Sequence, residues 1–264
     1  MPQPLFIKPI GSPFIELQSV DSTNNYARQQ IHAASLPDRQ DFAQHGMAVF
    51  AHEQVAGKGQ RGKVWASEKG ANIALSIVIK PASLRLMQQF QLSACVAVAI
   101  HNFFVKYAGD ETKIKWPNDL YWQDRKAGGI LIENIVGSTA SGNGSWDWAI
   151  VGIGININQV IFPSFLPNPV SLRQITGKRF DPLELAKEIC GELDTCFQQL
   201  IREGFDDIYA AYTSAMYKRN EKVKLKKGNR LFEPVIKSVT PAGRLIVQHA
   251  IEEEFDFGEV EWVL

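Results

Sequence analysis

A glycine-rich, cationic stretch between residues 52 and 63 has the residue types and spacing best suited to chemistry. Three glycines fall within six positions, namely Gly57, Gly59 and Gly62. They allow close backbone approach to a ligand and positive φ angles, and successive N–H groups can then surround an anion. Three cations lie among them, namely Lys58, Arg61 and Lys63. The stretch predicts an anion-binding loop, and the alternative is a solvated hairpin without a ligand.

The same stretch partly matches the phosphate-binding loop G-x-x-x-x-G-K through Gly57, Gly62 and Lys63. The next residue is Val64, so the hydroxyl that would bind magnesium is absent. The following residues lead towards a strand, whereas a P-loop leads into a helix. The sequence therefore argues against a P-loop phosphotransferase.

A second cluster surrounds the segment from Lys113 to Asp119. Pro117 ends a predicted strand, and Asn118 and Asp119 are natural turn formers, so a plain turn is one interpretation. The other is a phosphate or magnesium site, because cations, an amide and carboxylates crowd one rigid turn. These residues are Lys115, Asn118, Asp119, Asp124, Arg125 and Lys126.

The remaining motifs argue against a dinucleotide site, a histidine metal site and a catalytic triad. The segment Gly152–Asn156 lacks the third glycine of a dinucleotide fingerprint, which favours a close-packed strand; Asn156 and Asn158 then alternate on one face and could offer polar groups to a ligand. The histidines show no metal-binding or triad spacing, and His52 is interpreted as a strand-end residue. They are His32, His45, His52, His101 and His249.

Composition restricts the class of protein. The chain has 264 residues, 45% apolar and 21% charged, which suits a packed core. Lys plus Arg and Asp plus Glu both number 28, so nucleic-acid binding is not expected as its main role. The sparse cysteines, Cys95, Cys190 and Cys196, fit a reducing compartment. No signal peptide or membrane span is recognisable, which predicts a cytoplasmic protein.

Periodicity predicts an α+β fold, with a mixed, mostly antiparallel sheet and helices on one side of it. The predicted strands are 14–18, 47–53, 72–80, 112–116, 129–136 and 146–158. The predicted helices are 24–34, 90–108, 182–203 and 205–217. After Lys218 the pattern changes to short alternating strands, which predicts a small antiparallel barrel or sandwich and a division into residues 1–218 and 219–264.

Taken together, the motifs resemble the biotin–protein ligases, in the order and spacing of that family from about residue 13 to residue 158. They are DSTN at 21–24, QVAGKGQRG at 54–62 with Trp65, GAN at 70–72, KWPNDLY at 115–121, DRK at 124–126, GILIE at 129–133 and GIGIN at 152–156. The resemblance implies a class II synthetase-like catalytic domain (1–218) and a C-terminal SH3-like β-barrel (219–264). It points to the monofunctional type, because too few residues precede the first predicted strand for a winged helix-turn-helix, so no DNA partner is expected.

The resemblance implies ligation of biotin to a lysine of a biotin carboxyl carrier domain, through biotinyl-5′-adenylate, with biotin, ATP and Mg²⁺. A carboxylate is already ionised at neutral pH, so the first step needs cations to bring two anions together and no base. Biotin-binding residues implied by the family are Ser22, Thr23, Asn24, Gln54, Gly57, Lys58, Gly59, Gln60, Trp65 and Lys126. ATP-binding residues are Arg61, Lys63, Lys115, Asn118, Asp119 and Asn156. The catalytic set is Lys126, Lys58 and Asp119. The carrier lysine must lose a proton in the second step, and we infer that Asp119 accepts it.

Two residues depart from the family, which commonly has arginine at the positions of Lys58 and Gln60. Lysine keeps the charge but lacks the planar fork of arginine, and Gln60 removes a charge. We therefore expect weaker retention of the adenylate, unless Arg61 compensates.

Two other functions and one possible oligomeric state remain open. A lipoate or octanoate ligase or transferase shares a related fold, but polar groups suited to a ureido ring would be wasted on an alkyl tail. A non-enzymatic sensor would not need Lys58 and Lys126 to neutralise two approaching anions. A homodimer formed by sheet extension is also compatible, with Trp146–Asn158 as an edge strand.

Overall fold

A seven-stranded sheet forms the centre of the computed structural model, which describes residues 8–34, 44–81, 84–138 and 144–263. Its strands are β1 (Phe14–Leu17), β2 (Ala48–Ala51), β3 (Ile73–Ile79), β4 (Thr112–Lys115), β5 (Asp119–Trp122), β6 (Arg125–Ser138) and β7 (Gly144–Ile155). The order across the sheet is β1-β2-β3-β7-β6-β5-β4. Only the β1–β2 pair is parallel. The prediction of a mixed, mostly antiparallel sheet is confirmed.

Helices cover both faces of this sheet, so the prediction of helices on one side is wrong. The helices are α1 (Thr23–Ala34), α2 (Gln89–Ala108), α3 (Leu172–Thr176), α4 (Pro182–Glu203) and α5 (Asp206–Ser214). Phe50 of β2 belongs to the core cluster built by α2 and α4, whereas its neighbour Val49 packs with Ala27 and Ile31 of α1. Successive side chains of a strand point to opposite faces, so α1 lies across the sheet from α2 and α4.

Strand β7 lies inside the sheet, which corrects the expectation that Trp146–Asn158 is an edge strand. It pairs with β3 on one side and with the long β6 on the other. The strands at the two edges are β1 and β4. The predicted 138–145 hairpin loop lies mostly outside the described residues.

Helix α3 is absent from the sequence prediction. Ser171 accepts a hydrogen bond from the backbone N–H of Gln174, whose side chain accepts one from the Ser171 N–H in return. This reciprocal capping satisfies donors at the start of a short helix. Helix α4 begins as predicted, with Asp181 accepting from the N–H groups of Leu183 and Glu184.

The C-terminal strands form two three-stranded antiparallel sheets, with no single closed barrel among the described residues. The first sheet is β10 (Val235–Val239), β11 (Leu245–Gln248) and β12 (Glu252–Phe255), and the second is β13 (Glu261–Trp262), β8 (Leu225–Lys227) and β9 (Arg230–Phe232). Their buried residues, including Val239 and Leu245, belong to the same core cluster as Phe90 of α2.

All three cysteines are buried and free, and Cys190 and Cys196 share α4 as predicted. Among the described residues, no helix has the length and apolar character needed to cross a membrane.

Candidate active site

One row of residues crosses five strands on the sheet face that α1 partly covers. Strand register places them side by side in the order Ala74, Gly154, Gly129, Asp119, Lys115. The first three residues carry nothing larger than a methyl group, and the last two carry opposite charges. This arrangement forms a flat floor that leads from an uncharged end to a charged end.

The uncharged end of the floor is lined by a hydrogen-bond network at the start of α1. The Gln54 Oε1 accepts hydrogen bonds from the Thr23 N–H at 2.8 Å and from the Thr23 hydroxyl at 3.1 Å. Ser76 on β3 lies 2.7 Å from the Thr23 hydroxyl and 2.6 Å from the Asn24 Oδ1. Ser22, Thr23 and Asn24 are all buried. The structure thus brings together four of the residues predicted for biotin, Ser22, Thr23, Asn24 and Gln54.

Asn24 is fixed from a second side by Glu133 on β6. The Asn24 amide donates to a Glu133 carboxylate oxygen at 2.7 Å, and the other oxygen accepts from Arg28 at 3.0 Å. Since the Asn24 Nδ2 is used in this way, its Oδ1 points towards Ser76. A negative acceptor therefore determines which way the amide faces.

Two glycines of β7 make room for this site. A Cβ at Gly152 would lie 2.5 Å from the Asn24 Oδ1, and a Cβ at Gly154 would lie 2.5 Å from the Trp65 ring. Neither distance is compatible with a real side chain. The expectation of a close-packed glycine strand is confirmed, and the neighbours that the glycines admit are two predicted biotin residues.

The cationic loop folds as a small hairpin beside the floor. Lys58 and Val64 form a bridge, and the N–H groups of Gly59 and Trp65 donate to the carbonyls of Lys63 and Gly57, respectively. A Cβ at Gly57 would lie 2.4 Å from the Trp65 carbonyl oxygen, so this closure requires glycine. The Lys58 ammonium donates to Asn25 on α1. The segment forms a hairpin whose cations are exposed at the site, and its binding of an anion stays a prediction.

The charged end of the floor holds an ion pair between Lys126 and Asp119. Their Nζ and Oδ1 atoms are 2.6 Å apart, and both side chains are about three-quarters buried, with exposures of 30% and 27%. A Cβ at Gly129 would lie 3.2 Å from the Asp119 Oδ1 and 3.4 Å from the Lys126 Nζ. The pair therefore lies directly beside Gly129 at this end of the floor.

Lys115 stands next to this pair and is almost fully buried. Its ammonium donates to the Tyr121 hydroxyl at 3.1 Å and lies 5.1 Å from the centre of the Trp262 ring. Burial lowers the pKa of Lys115 to about 8, against the attraction of Asp119 and with added repulsion from Lys126 and Lys63. A further negative charge at this point would relieve that repulsion.

The amide side chains of three predicted ligand residues hydrogen-bond to the backbone. The Asn118 amide donates to the Ile130 carbonyl, and the Asn156 amide donates to the Val170 carbonyl at 3.1 Å. Asn158 bonds both backbone groups of Phe180. Arg61 lies against Phe257 of the C-terminal segment.

Sequence reasoning gave no role to Ser76, Glu133 or Trp262. Ser76 carried a usable signal, because it is the one polar residue of the strand IALSIVI. Within the described residues there is no cluster of three His, Cys, Asp or Glu side chains that could hold a metal ion. His52 pairs with Glu16 just beyond β2, which matches its interpretation as a strand-end residue.

Comparison with known proteins identifies one family. Residues 17–156 match the biotin/lipoate A/B protein ligase family. The chain is 30% identical over 208 residues to the biotin–[acetyl-CoA-carboxylase] ligase of Paracoccus denitrificans, covering 76% of this chain and 83% of the relative. It is 29% identical over 244 residues to the bifunctional ligase/repressor BirA of Escherichia coli, covering 90% and 70%. It spans about half, 52%, of the length of the Bacillus subtilis protein of that name, at 31% identity over 65% of this chain.

The solved structures agree with the curated relatives. The biotin protein ligase from Aquifex aeolicus, in complex with biotin and ATP, superposes with a TM-score of 0.75 at 25% identity. The superposition covers 95% of this chain and 99% of the other.

Proposed function

Because the chain belongs to the biotin/lipoate A/B protein ligase family, we propose that it ligates biotin to a lysine of a biotin carboxyl carrier domain at the expense of ATP. The observation that carries this proposal is the floor from Ala74 to Lys115, which joins a polar pocket to paired charges. The Paracoccus and Aquifex proteins to which it is similar are both named as biotin ligases.

Biotin lies along the floor with its ureido ring at the buried polar end. Ser22, Thr23, Asn24 and Gln54 supply donors and acceptors for that ring, and the glycines of β7 let Asn24 and Trp65 lie close against the strand beside it. Trp65, whose ring lies against Gly154, packs beside the ligand, and Gly57, Lys58, Gly59 and Gln60 border its carboxylate. The valeryl chain then directs this carboxylate towards Lys126.

In the first step a biotin carboxylate oxygen attacks the α-phosphorus of ATP. The new C–O–P linkage forms, the bond to the β-phosphate oxygen breaks, and pyrophosphate leaves. Lys58 and Lys126 reduce the repulsion between the two anions as charge moves to the leaving group. Lys63 and Lys115 contact the phosphates, and ATP enters as its Mg²⁺ complex. Asn118 and Asn156 shape the nucleotide side through the backbone that they hold.

In the second step the amine of the carrier lysine attacks the mixed anhydride. The C–N bond forms, the C–O bond to the phosphate breaks, and AMP leaves. Asp119 takes the proton released by the lysine and passes it to solvent. Its ion pair with Lys126 places the acceptor at the reacting carbonyl.

The same proposal extends to the organisation of the chain. Residues 1–218 form the catalytic domain, and residues 219–264 form a C-terminal SH3-like domain. The enzyme works in the cytoplasm, in keeping with its three free cysteines.

Lipoate or octanoate ligation is the competing function within the family. An alkyl or dithiolane tail offers no hydrogen-bonding group to the buried network of Thr23, Asn24 and Ser76, whereas a ureido ring offers both donors and an acceptor. The network at the start of α1 therefore favours biotin.

The test is ATP–pyrophosphate exchange by the purified protein with Mg²⁺ and biotin, lipoate or octanoate, followed by transfer to a carrier domain. We expect exchange with biotin alone and one biotin per carrier lysine. Exchange with lipoate or octanoate alone would move the protein to the sister class. Absence of exchange in folded protein would support a binding module.

A further inference from the structure

Arg61 leaves the cationic loop and contacts the C-terminal segment. Its guanidinium carbon lies 4.9 Å from the centre of the Phe257 ring, and its Nη2 donates to the Phe257 carbonyl at 3.5 Å. The Arg61 backbone has φ 55° and ψ 40°, in the left-handed region that non-glycine residues rarely adopt. Such a conformation persists when the surrounding structure holds it.

Gly258 provides the space that the guanidinium occupies. Its φ is +90°, and a Cβ built there would lie 1.1 Å from the Arg61 Nη2. The nearest atoms belong to the end of a flexible side chain, so a methyl group would displace the guanidinium, and the positive φ adds backbone strain that a control variant must share. The fit is thus specific to Arg61.

The Phe257 ring is supported from the catalytic sheet. It makes an edge contact with Trp116 at 6.1 Å, and the Trp116 indole donates to the Gly243 carbonyl at 2.9 Å. Trp116 directly follows Lys115 at the end of β4. The surface that receives Arg61 is therefore tied to the charged end of the site.

From these contacts we infer that Arg61 and Phe257 are positioning residues that hold the cationic loop over the adenylate, so that the C-terminal segment controls its retention. The inference rests on the proposed function and assigns Arg61 a role other than direct contact with ATP. Opening the contact frees the hairpin from residue 57 to residue 65, and biotinyl-adenylate then leaves faster. A cation–π contact at a partly exposed site corresponds to about a fivefold change in rate.

The test measures the rate at which labelled biotinyl-adenylate leaves the whole protein during a chase with unlabelled biotin. Gly258→Ala displaces the guanidinium without removing a charge, and we expect release to become about fivefold faster. Gly228→Ala is the matched control, because Gly228 has φ +57° in the same segment and no atom within 4 Å of its Cβ position. Release from the control should equal that from the wild type.

A second set of variants separates positioning from folding. Phe257→Tyr keeps the ring face and should retain wild-type release, whereas Phe257→Leu and Arg61→Met should match Gly258→Ala. The double variant Arg61→Met/Gly258→Ala should release no faster than either single variant, because both remove the same contact.

Equal release from Gly258→Ala, Gly228→Ala and the wild type would overturn the inference, as would acceleration in Gly228→Ala of the same size. A wild-type protein that forms no adenylate would overturn the proposed function, and this inference with it. If the wild type forms the adenylate and Gly258→Ala releases it at the same rate, the inference is rejected and the proposed function stands.

Discussion

Gly154 lies directly beneath the indole ring of Trp65, so closely that a Cβ at residue 154 would stand 2.5 Å from the ring. The glycine belongs to the floor of the site, and the tryptophan comes from the loop that borders it. A larger side chain at residue 154 should therefore displace the Trp65 ring.

We predict that Gly154→Ala raises the KM for biotin roughly tenfold, because Trp65 must move away from the floor, at a cost of about 1–3 kcal/mol. Biotin-dependent pyrophosphate exchange and Trp fluorescence report the change. Gly191→Ala in α4 is the control, since nothing lies within 4 Å of its Cβ position. Equal KM values in the two variants would contradict the prediction.

Glu133 should affect the binding of biotin by fixing the Asn24 amide. Glu133→Ala removes the acceptor that fixes the Asn24 amide, and we expect the KM for biotin to rise about tenfold while the KM for ATP is unchanged. Glu254→Ala, which removes a surface partner of Arg244, is the control. A parallel rise in both KM values would indicate general damage to the fold.

Lys115 should make ATP binding depend on pH. Because burial lowers its pKa to about 8, the free enzyme loses this cation as the pH rises through 8. We expect the KM for ATP to rise there, and we expect Lys115→Arg to show no such rise because arginine does not titrate. A KM that changes equally with pH in both proteins would assign the effect to another group.

The same lysine should reduce stability near neutral pH. Between pH 8 and about 10.4 the unfolded chain binds this proton and the folded chain does not, so the free energy of unfolding rises with pH. Lys115→Met should therefore stabilise the ligand-free protein at pH 7 by on the order of 2 kcal/mol, with loss of ATP affinity. Urea unfolding at pH 7 and pH 9.5 measures this stabilisation and its dependence on pH. A destabilised variant would contradict the sign.

Gln60 removes one charge from the cationic loop. We predict that Gln60→Arg slows adenylate release by about tenfold, since a charge-assisted hydrogen bond to the phosphate becomes available. Gln248→Arg, at an exposed position in β11, adds the same charge away from the site. A release rate that is unchanged or faster in Gln60→Arg would reject the prediction.

Local patterns predicted most of the elements and their types, although not α3, because those depend on neighbours in sequence. The loop around Lys58 and the turn at Pro117 were recognised from their residue types. The two-sided coverage of the sheet was missed, although β2 and β3 are apolar at nearly every position, which indicates burial on both faces. The interior place of β7 depends on pairing with β3, more than 60 residues away, and no local pattern encodes it.

Site geometry was predictable where a motif carried it and unpredictable where distant segments meet. The grouping of Thr23 with Gln54 followed from the family resemblance, but Ser76 and Glu133 reach the same network from two other strands. The family resemblance assigned Arg61 to ATP. Its contact with Phe257 joins residues 196 positions apart.

The hydrogen bond from the Trp116 indole to the Gly243 carbonyl has a practical consequence for truncation. Trp116 is buried, and Phe90 packs against the same glycine. Cutting the chain after residue 218 would expose both rings to solvent and leave the indole N–H without its acceptor. Limited proteolysis within the last 46 residues should therefore yield an aggregating fragment, and heating the intact protein should give one calorimetric transition in place of two.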